Sequence, residues 1–168
     1  MRHIIAVLLQ NEAGALNRVA GLFSMRGYNI ESLAVAPTDD ATVSRLTLVT
    51  AGSDAVMAQI VSQLRKLIDV VQVEDLTRGE HFERELVLLR LSIAEPQLAR
   101  LTALVTEFAG RILSGSLHNF VVELTSSEAQ VSRFLAAAGG FGEVLEVVRS
   151  GALGIKHSAA AAAQLPAA

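Results

Sequence analysis

An α+β fold of two successive βαββαβ units is predicted for this chain of 168 residues, and three observations predict it. Apolar residues recur with the period of two that suits a strand, then with the 3.6-residue period of a helix. The order strand, helix, strand, strand, helix, strand occurs twice. Turn formers stand where the period changes: Asn11 to Gly14, Gly27, Pro37 to Asp40 and Ser53 in the first copy. This order is the split βαβ, ferredoxin-like arrangement, two tandem domains whose antiparallel sheets carry both helices on one face.

In the first copy the pattern predicts strands near residues 2–10, 30–37, 43–51 and 70–77, with helices near 14–26 and 54–67. Gly27 closes the first helix as a left-handed cap, and Ser53-Asp54 opens the second, whose apolar stripe is Val56, Ile60, Leu64 and Leu67. Pro37-Thr38-Asp39-Asp40 supplies the hairpin turn. In the second copy strands are expected near 84–94, 111–114, 118–125 and 143–149, and helices near 96–109 and 128–138. Pro96 suits a first helical position, and Leu98, Leu101, Val105 and Phe108 share one helical face. The domains are then 1–77 and 84–156, joined by a linker at 78–83, with an Ala-rich tail over 157–168 expected to be disordered. Ile4, Ile5, Val7, Leu8 and Leu9 put apolar residues on both faces of the first strand, so a second layer is expected there, from the other domain or another subunit.

Composition narrows the function. The chain is 51% hydrophobic, and its mean hydropathy of +0.43 suggests apolar surface committed to subunit contacts. Fourteen Lys+Arg stand against 17 Asp+Glu, a formal charge of −3 with no basic cluster, which argues against nucleic acid. With no Cys there is neither a disulfide framework nor a thiolate metal site. Met1-Arg2-His3 runs into the first strand without a signal-peptide core, and no apolar run reaches the length of a membrane span, so a cytoplasmic protein is expected.

Catalytic groups are hard to find. His3, His81, His118 and His157 lack ligand spacing and read as surface or linker residues. Gly140-Phe141-Gly142 precedes a strand where a dinucleotide loop would open a helix, so it reads as a turn. Ser114-Gly115-Ser116-Leu117-His118 lies where a hairpin turn is needed. Glu83, Glu85, Glu143 and Glu146 read as solvated strand positions. Binding or regulation remains.

The segment Asn11 to Leu16 suits binding. Asn, Glu and Gly are ordinary loop and cap residues, but a helix start also aims unpaired N–H groups at an anion such as a carboxylate. Gly14 lets a ligand approach the backbone without a Cβ in the way, and Asn29 offers a donor and an acceptor beside apolar Ile30. The first and second strands run the same way, which sets Asn11 to Leu16 at one end of the sheet and Asn29-Ile30 at the other. The second strand is an edge. Pairing two such edges about a twofold axis brings the loop of one copy toward Asn29 of its partner, so a homodimer is expected.

Asn11-Glu12-Ala13-Gly14-Ala15-Leu16-Asn17-Arg18-Val19 and the run Gly21 to Thr38, with Gly27-Tyr28-Asn29-Ile30-Glu31-Ser32-Leu33 at its centre, resemble the N-terminal ACT domain of the acetohydroxyacid synthase (acetolactate synthase) small subunits. Glu83-Arg84-Glu85-Leu86 and Arg149-Ser150-Gly151 resemble landmarks of that family's second domain. The resemblance implies a regulatory subunit with no active site of its own. It would bind and activate a catalytic large subunit, which carries thiamine diphosphate, Mg2+ and FAD, and confer feedback inhibition by valine; since isoleucine differs from valine by one methylene, worth only about 1 to 3 kcal/mol, a partial response to isoleucine or leucine is expected. It carries over Asn11, Gly14, Ala15 and Leu16 as the ligand loop and Asn29 and Ile30 as contacts at the strand start, so that valine would sit at the dimer interface. A tandem ACT sensor acting on another enzyme or on a transcriptional regulator shares the fold and Gly14, and a small ferredoxin-like enzyme shares the fold alone.

Overall fold

The computed structural model describes residues 1–157, so the expected disordered tail lies, apart from His157, outside the described residues. It divides into two compact units, Met1–Phe82 together with the segment that begins at Ala152, and Glu83–Gly151.

The first unit runs β1 (Arg2–Gln10), α1 (Ala15–Met25), β2 (Ser32–Pro37), β3 (Val43–Ala51), α2 (Asp54–Leu64) and β4 (Val70–Asp75). Its sheet is antiparallel between neighbours in the order β2-β3-β1-β4, leaving β2 as an edge. Alternation along β1 sends Ile5, Val7 and Leu9 into one core with Val19, Phe23, Ile60 and Leu64 of the helices. Gly27 has φ +68° and closes α1 in the expected way. The Tyr28 N–H reaches the Phe23 carbonyl at 3.0 Å and the two rings meet edge to face with centroids 6.2 Å apart, which is the paired hydrogen bond and apolar contact of a Schellman ending. Ser53 caps α2 by accepting from the Val56 N–H at 3.4 Å. In the β2-β3 hairpin the Asp40 carboxylate accepts from the N–H and hydroxyl of Thr42 at 2.9 and 2.6 Å, an Asx-type turn.

The opposite face of this sheet is covered as well. Ile4, Ala6, Val49 and Leu76 form a second cluster with Ala152, at the head of a short strand that the periodicity did not show, here β9 (Leu153–Lys156). The Ala152 N–H donates to Ser32 Oγ at 3.0 Å, Arg45 Nη2 donates to the Gly154 carbonyl at 2.8 Å, and Lys156 pairs with Glu74 at 3.2 Å. The layer expected on this face is thus supplied, at Ala152, by the chain's own C-terminal segment. The sequence reading placed residues 152–156 in the second domain; their apolar contacts place them with the first unit.

The second unit repeats the plan with β5 (His81–Ile93), α3 (Leu98–Glu107), β6 (Arg111–Ser116), β7 (Asn119–Ser126), α4 (Glu128–Ala138) and β8 (Gly142–Arg149), in the order β6-β7-β5-β8. β5 begins at His81, inside the expected linker. Pro96 sits in a 3-10 turn over Glu95–Gln97 that leads into α3. Its core joins Val87, Leu89 and Leu91 to Leu101, Val105, Val131 and Phe134.

Two polar residues depart from expectation. Glu85 is only 4% exposed and accepts two hydrogen bonds from Arg149, at 2.8 and 2.6 Å, so it does not lie on a solvated strand face. A carboxylate on the core side needs such a partner, because desolvation without one would be costly. His3 is 2% exposed and so is not a surface residue. Its Nε2 lies 3.1 Å from the Gly52 carbonyl, a contact that offsets part of the cost of burying the imidazole.

Candidate functional site

The loop between β1 and α1 is built from an uncapped helix start. Gly14 has φ +90° and ψ −13°, and no side chain caps α1. A left-handed residue there strongly favours glycine. The Ala15 N–H turns back to the Glu12 carbonyl at 3.2 Å, leaving the N–H groups of Leu16 and Asn17 at the mouth of the helix without an intrahelical acceptor. Asn11 ties the loop to the hairpin beside it: its N–H donates to Thr42 at 2.7 Å and its side-chain amide to Ala41 at 3.0 Å.

Between this loop and β2 lies a shallow hollow of about 220 Å3, lined by Asn11, Glu12, Ala15, Leu16, Val35 and Pro37, among others. That is below the roughly 300 to 1,000 Å3 typical of small-molecule sites. Leu16 is 37% exposed. Of the residues singled out from the sequence, Asn11, Ala15 and Leu16 line this hollow, and Gly14 lies in the same loop as the residue before α1. Asn29 and Ile30 do neither. Asn29 is exposed, and its carbonyl accepts from the Thr50 hydroxyl at 2.6 Å, while Ile30 packs against the first core. Register fixes the separation: Gln10 pairs with Val43 at the end of the sheet where β2 finishes, whereas Ser32 pairs with Val49 at the end where it starts. The length of β2 between them, at about 3.3 Å per residue, sets the two groups about 20 Å apart.

Sequence reading missed two residues beside the loop. The Arg18 guanidinium pairs in a fork with Asp69, Nε to Oδ2 and Nη2 to Oδ1, the latter at 2.7 Å. Asp69 is 5% exposed. The hydrogen bond from Arg18 holds its carboxyl below the usual carboxylate range against the opposing effect of desolvation, and the same bond raises Arg18. The third nitrogen, Nη1, would lie 3.2 Å from a Cβ placed on Gly14. The space kept free by the missing Cβ is therefore bordered by Arg18. One signal was available: Asp69 is a lone acid within the apolar run Leu67 to Val71.

Among the described residues no group of three or more His, Asp or Glu side chains could hold a metal, and no helix is long and apolar enough to cross a membrane.

Two βαββαβ repeats, the first passing from its opening strand into a glycine-started, uncapped helix, have the plan of a tandem ACT-domain protein. Residues 5–72 match the model described as AHAS small subunit-like ACT domain, and residues 84–158 match that described as small subunit of acetolactate synthase. The chain is 44% identical to the acetolactate synthase isozyme 3 small subunit of Escherichia coli, over 94% of this chain and 96% of that protein. It is 42% identical to the acetolactate synthase small subunit of Haemophilus influenzae, over 94% and 96%. The crystal structure of the acetolactate synthase small subunit from Thermotoga maritima superposes with a TM-score of 0.83 at 28% identity, covering 94% of this chain and 98% of that one. The chain belongs to the family of acetolactate synthase small subunits, the non-catalytic regulatory subunits of a thiamine-diphosphate-dependent enzyme of branched-chain amino-acid biosynthesis.

Proposed function

We propose that this subunit binds and activates a catalytic large subunit and makes it sensitive to valine, held where the first units of two copies meet. The observation that carries the reading is the separation of the two half-sites. The loop has free helix N–H groups but only a shallow hollow, and Asn29-Ile30 lies at the far end of an open edge strand. Pairing two β2 edges antiparallel completes each hollow with the partner copy's strand start. In that arrangement the N–H groups after Gly14 hold the carboxylate, Asn11 and Asn29 orient the polar end, and Leu16 with Ile30 receives the side chain. Valine and isoleucine differ there by one methylene, worth about 1 to 3 kcal/mol, so isoleucine and leucine act as weaker or partial effectors.

The test is acetolactate formation by the large subunit alone, with this chain, and with this chain plus valine. Activation that valine reverses is expected. Activation without a valine effect would remove the ligand from the reading, and no activation would remove the partner.

A further inference from the structure

We infer that Arg18 and Asp69 are the positioning residues of the amino-acid loop, acting as a clamp that holds the Gly14 backbone in its binding conformation. This rests on the reading of Asn11 to Leu16 as the valine loop. No side chain of α1 caps that loop, since the helix starts on a glycine at φ +90°, and from α1 only the backbone bonds Ala15 N–H to Glu12 and Arg18 N–H to Gly14 reach it. Asp69 does so from two sides. Its carbonyl accepts the Gln10 N–H at 2.8 Å, which anchors the last residue of β1, and its carboxylate grips Arg18 one turn into α1. The loop is thereby held at both ends by one buried residue.

The geometry of the fork matters. Nε and Nη2 of Arg18 are spent on Asp69, and Nη1 borders the space that a Cβ on Gly14 would fill. A planar guanidinium can do both at once, whereas a lysine ammonium is a point charge without a second arm. Arg18 is 45% exposed, so it is not held there by burial. Glu12 is the other acid acting on it, and as an exposed loop residue it is the competitor that the buried Asp69 must outbid. An ordinary surface pair lacks this arrangement: Arg111 and Glu123, facing each other across β6 and β7, pair at 3.0 Å with 71% and 29% exposure and touch no loop proposed to bind a ligand.

Calorimetric titration of the full chain with valine, and amide hydrogen exchange of Ala15 to Asn17 without ligand, test the clamp together. Asp69→Asn, Arg18→Gln and Arg18→Lys are each expected to raise the valine dissociation constant at least tenfold and to speed exchange of those three amides, at a temperature where the variants remain folded. Arg18→Lys keeps the charge and the exposed position, so it guards against a variant that fails to fold. Glu123→Gln, which breaks the surface pair, is expected to change neither readout. Valine affinity within about twofold of wild type in Arg18→Lys and Asp69→Asn overturns the clamp, as does unaltered amide exchange. A wild-type chain that takes up no valine overturns the reading beneath it, a result that the exchange measurement keeps distinct because it needs no ligand.

Discussion

Gly14→Asp is the substitution whose consequences the structure lets one work through. At φ +90° an L side chain pays about 1 to 2 kcal/mol of left-handed strain, so the binding conformation of the loop becomes the less populated one. The new Cβ would lie 3.2 Å from Arg18 Nη1, bringing the added carboxylate within reach of the guanidinium and in competition with Asp69. Two unit charges 4 Å apart interact by about 4 kcal/mol at an effective dielectric of 20, and capture by Arg18 reduces the repulsion felt by a ligand carboxylate to about half of that. Strain and repulsion together come to about 3 kcal/mol, or roughly a hundredfold in affinity. Gly14→Ala keeps only the strain and should cost about five- to thirtyfold. The assay is valine titration by calorimetry alongside valine inhibition of acetolactate formation. Equal losses for Ala and Asp would refute the electrostatic part, and affinity within fivefold of wild type for Asp would refute the placement of valine at this loop.

Three further outcomes are expected. A Cβ on Gly154 would meet Leu76 Cδ1 at 2.6 Å and Ile4 Cδ1 at 2.9 Å, so Gly154→Val overpacks the second cluster by about 1 to 3 kcal/mol and lowers the first unit's melting transition by roughly 4 to 24 °C in calorimetry; an unchanged transition would contradict the packing of β9. Val35, 44% exposed on the edge strand, should tolerate Lys as a monomer, and Val35→Lys is expected to weaken dimerisation and valine affinity together, each at least tenfold by light scattering and calorimetry; loss of one without the other would separate the site from the dimer. Asp69 is held below its usual range by Arg18, so its contribution to stability is full above the unfolded value of about 3.9 and is lost as pH falls through the lower folded value. Asp69→Asn should therefore flatten the acid limb of the first unit's unfolding curve, and an acid limb identical to wild type would show that the pair does not stabilise the fold.

Most of the fold was legible because it is written in local signals. The first strand, the third and the last helix follow from period and punctuation alone, and Gly27 closes α1 with the Tyr28 and Phe23 contacts that such a glycine favours. The failures share a cause, namely pairs that are remote in sequence. Glu85 looks solvated until Arg149, 64 residues away, meets it. Arg18 looks like a surface helix residue until Asp69, 51 residues away, meets it. β9 has only four residues, too few for a period to register, and its place depends on a cavity-sized fit of Gly154 over Ile4 and Leu76. At the site, strand direction was enough to put the loop and Asn29 at opposite ends, because parallel β1 and β2 follow from the βαβ connection. What holds the loop in shape was not, because an ion pair across the start of β4 has no local signature.

A half-site on each copy couples ligand binding to association. Under the proposed arrangement valine binds the paired edges and not the separated ones, so a ligand at 100 times its dissociation constant favours the paired state by about 2.7 kcal/mol per site. That coupling is reciprocal: a large subunit that holds the two edges in register must tighten valine, and one that prises them apart must weaken it. Inhibition then requires that the inhibited assembly present the better-closed site, since equal affinity for both assemblies shifts nothing however tightly valine binds. The clamp of Arg18 and Asp69 belongs to this economy because it acts before the ligand arrives. A loop already in shape leaves less conformational entropy to be lost on binding, so more of the ligand's interaction energy remains to discriminate between the two assemblies.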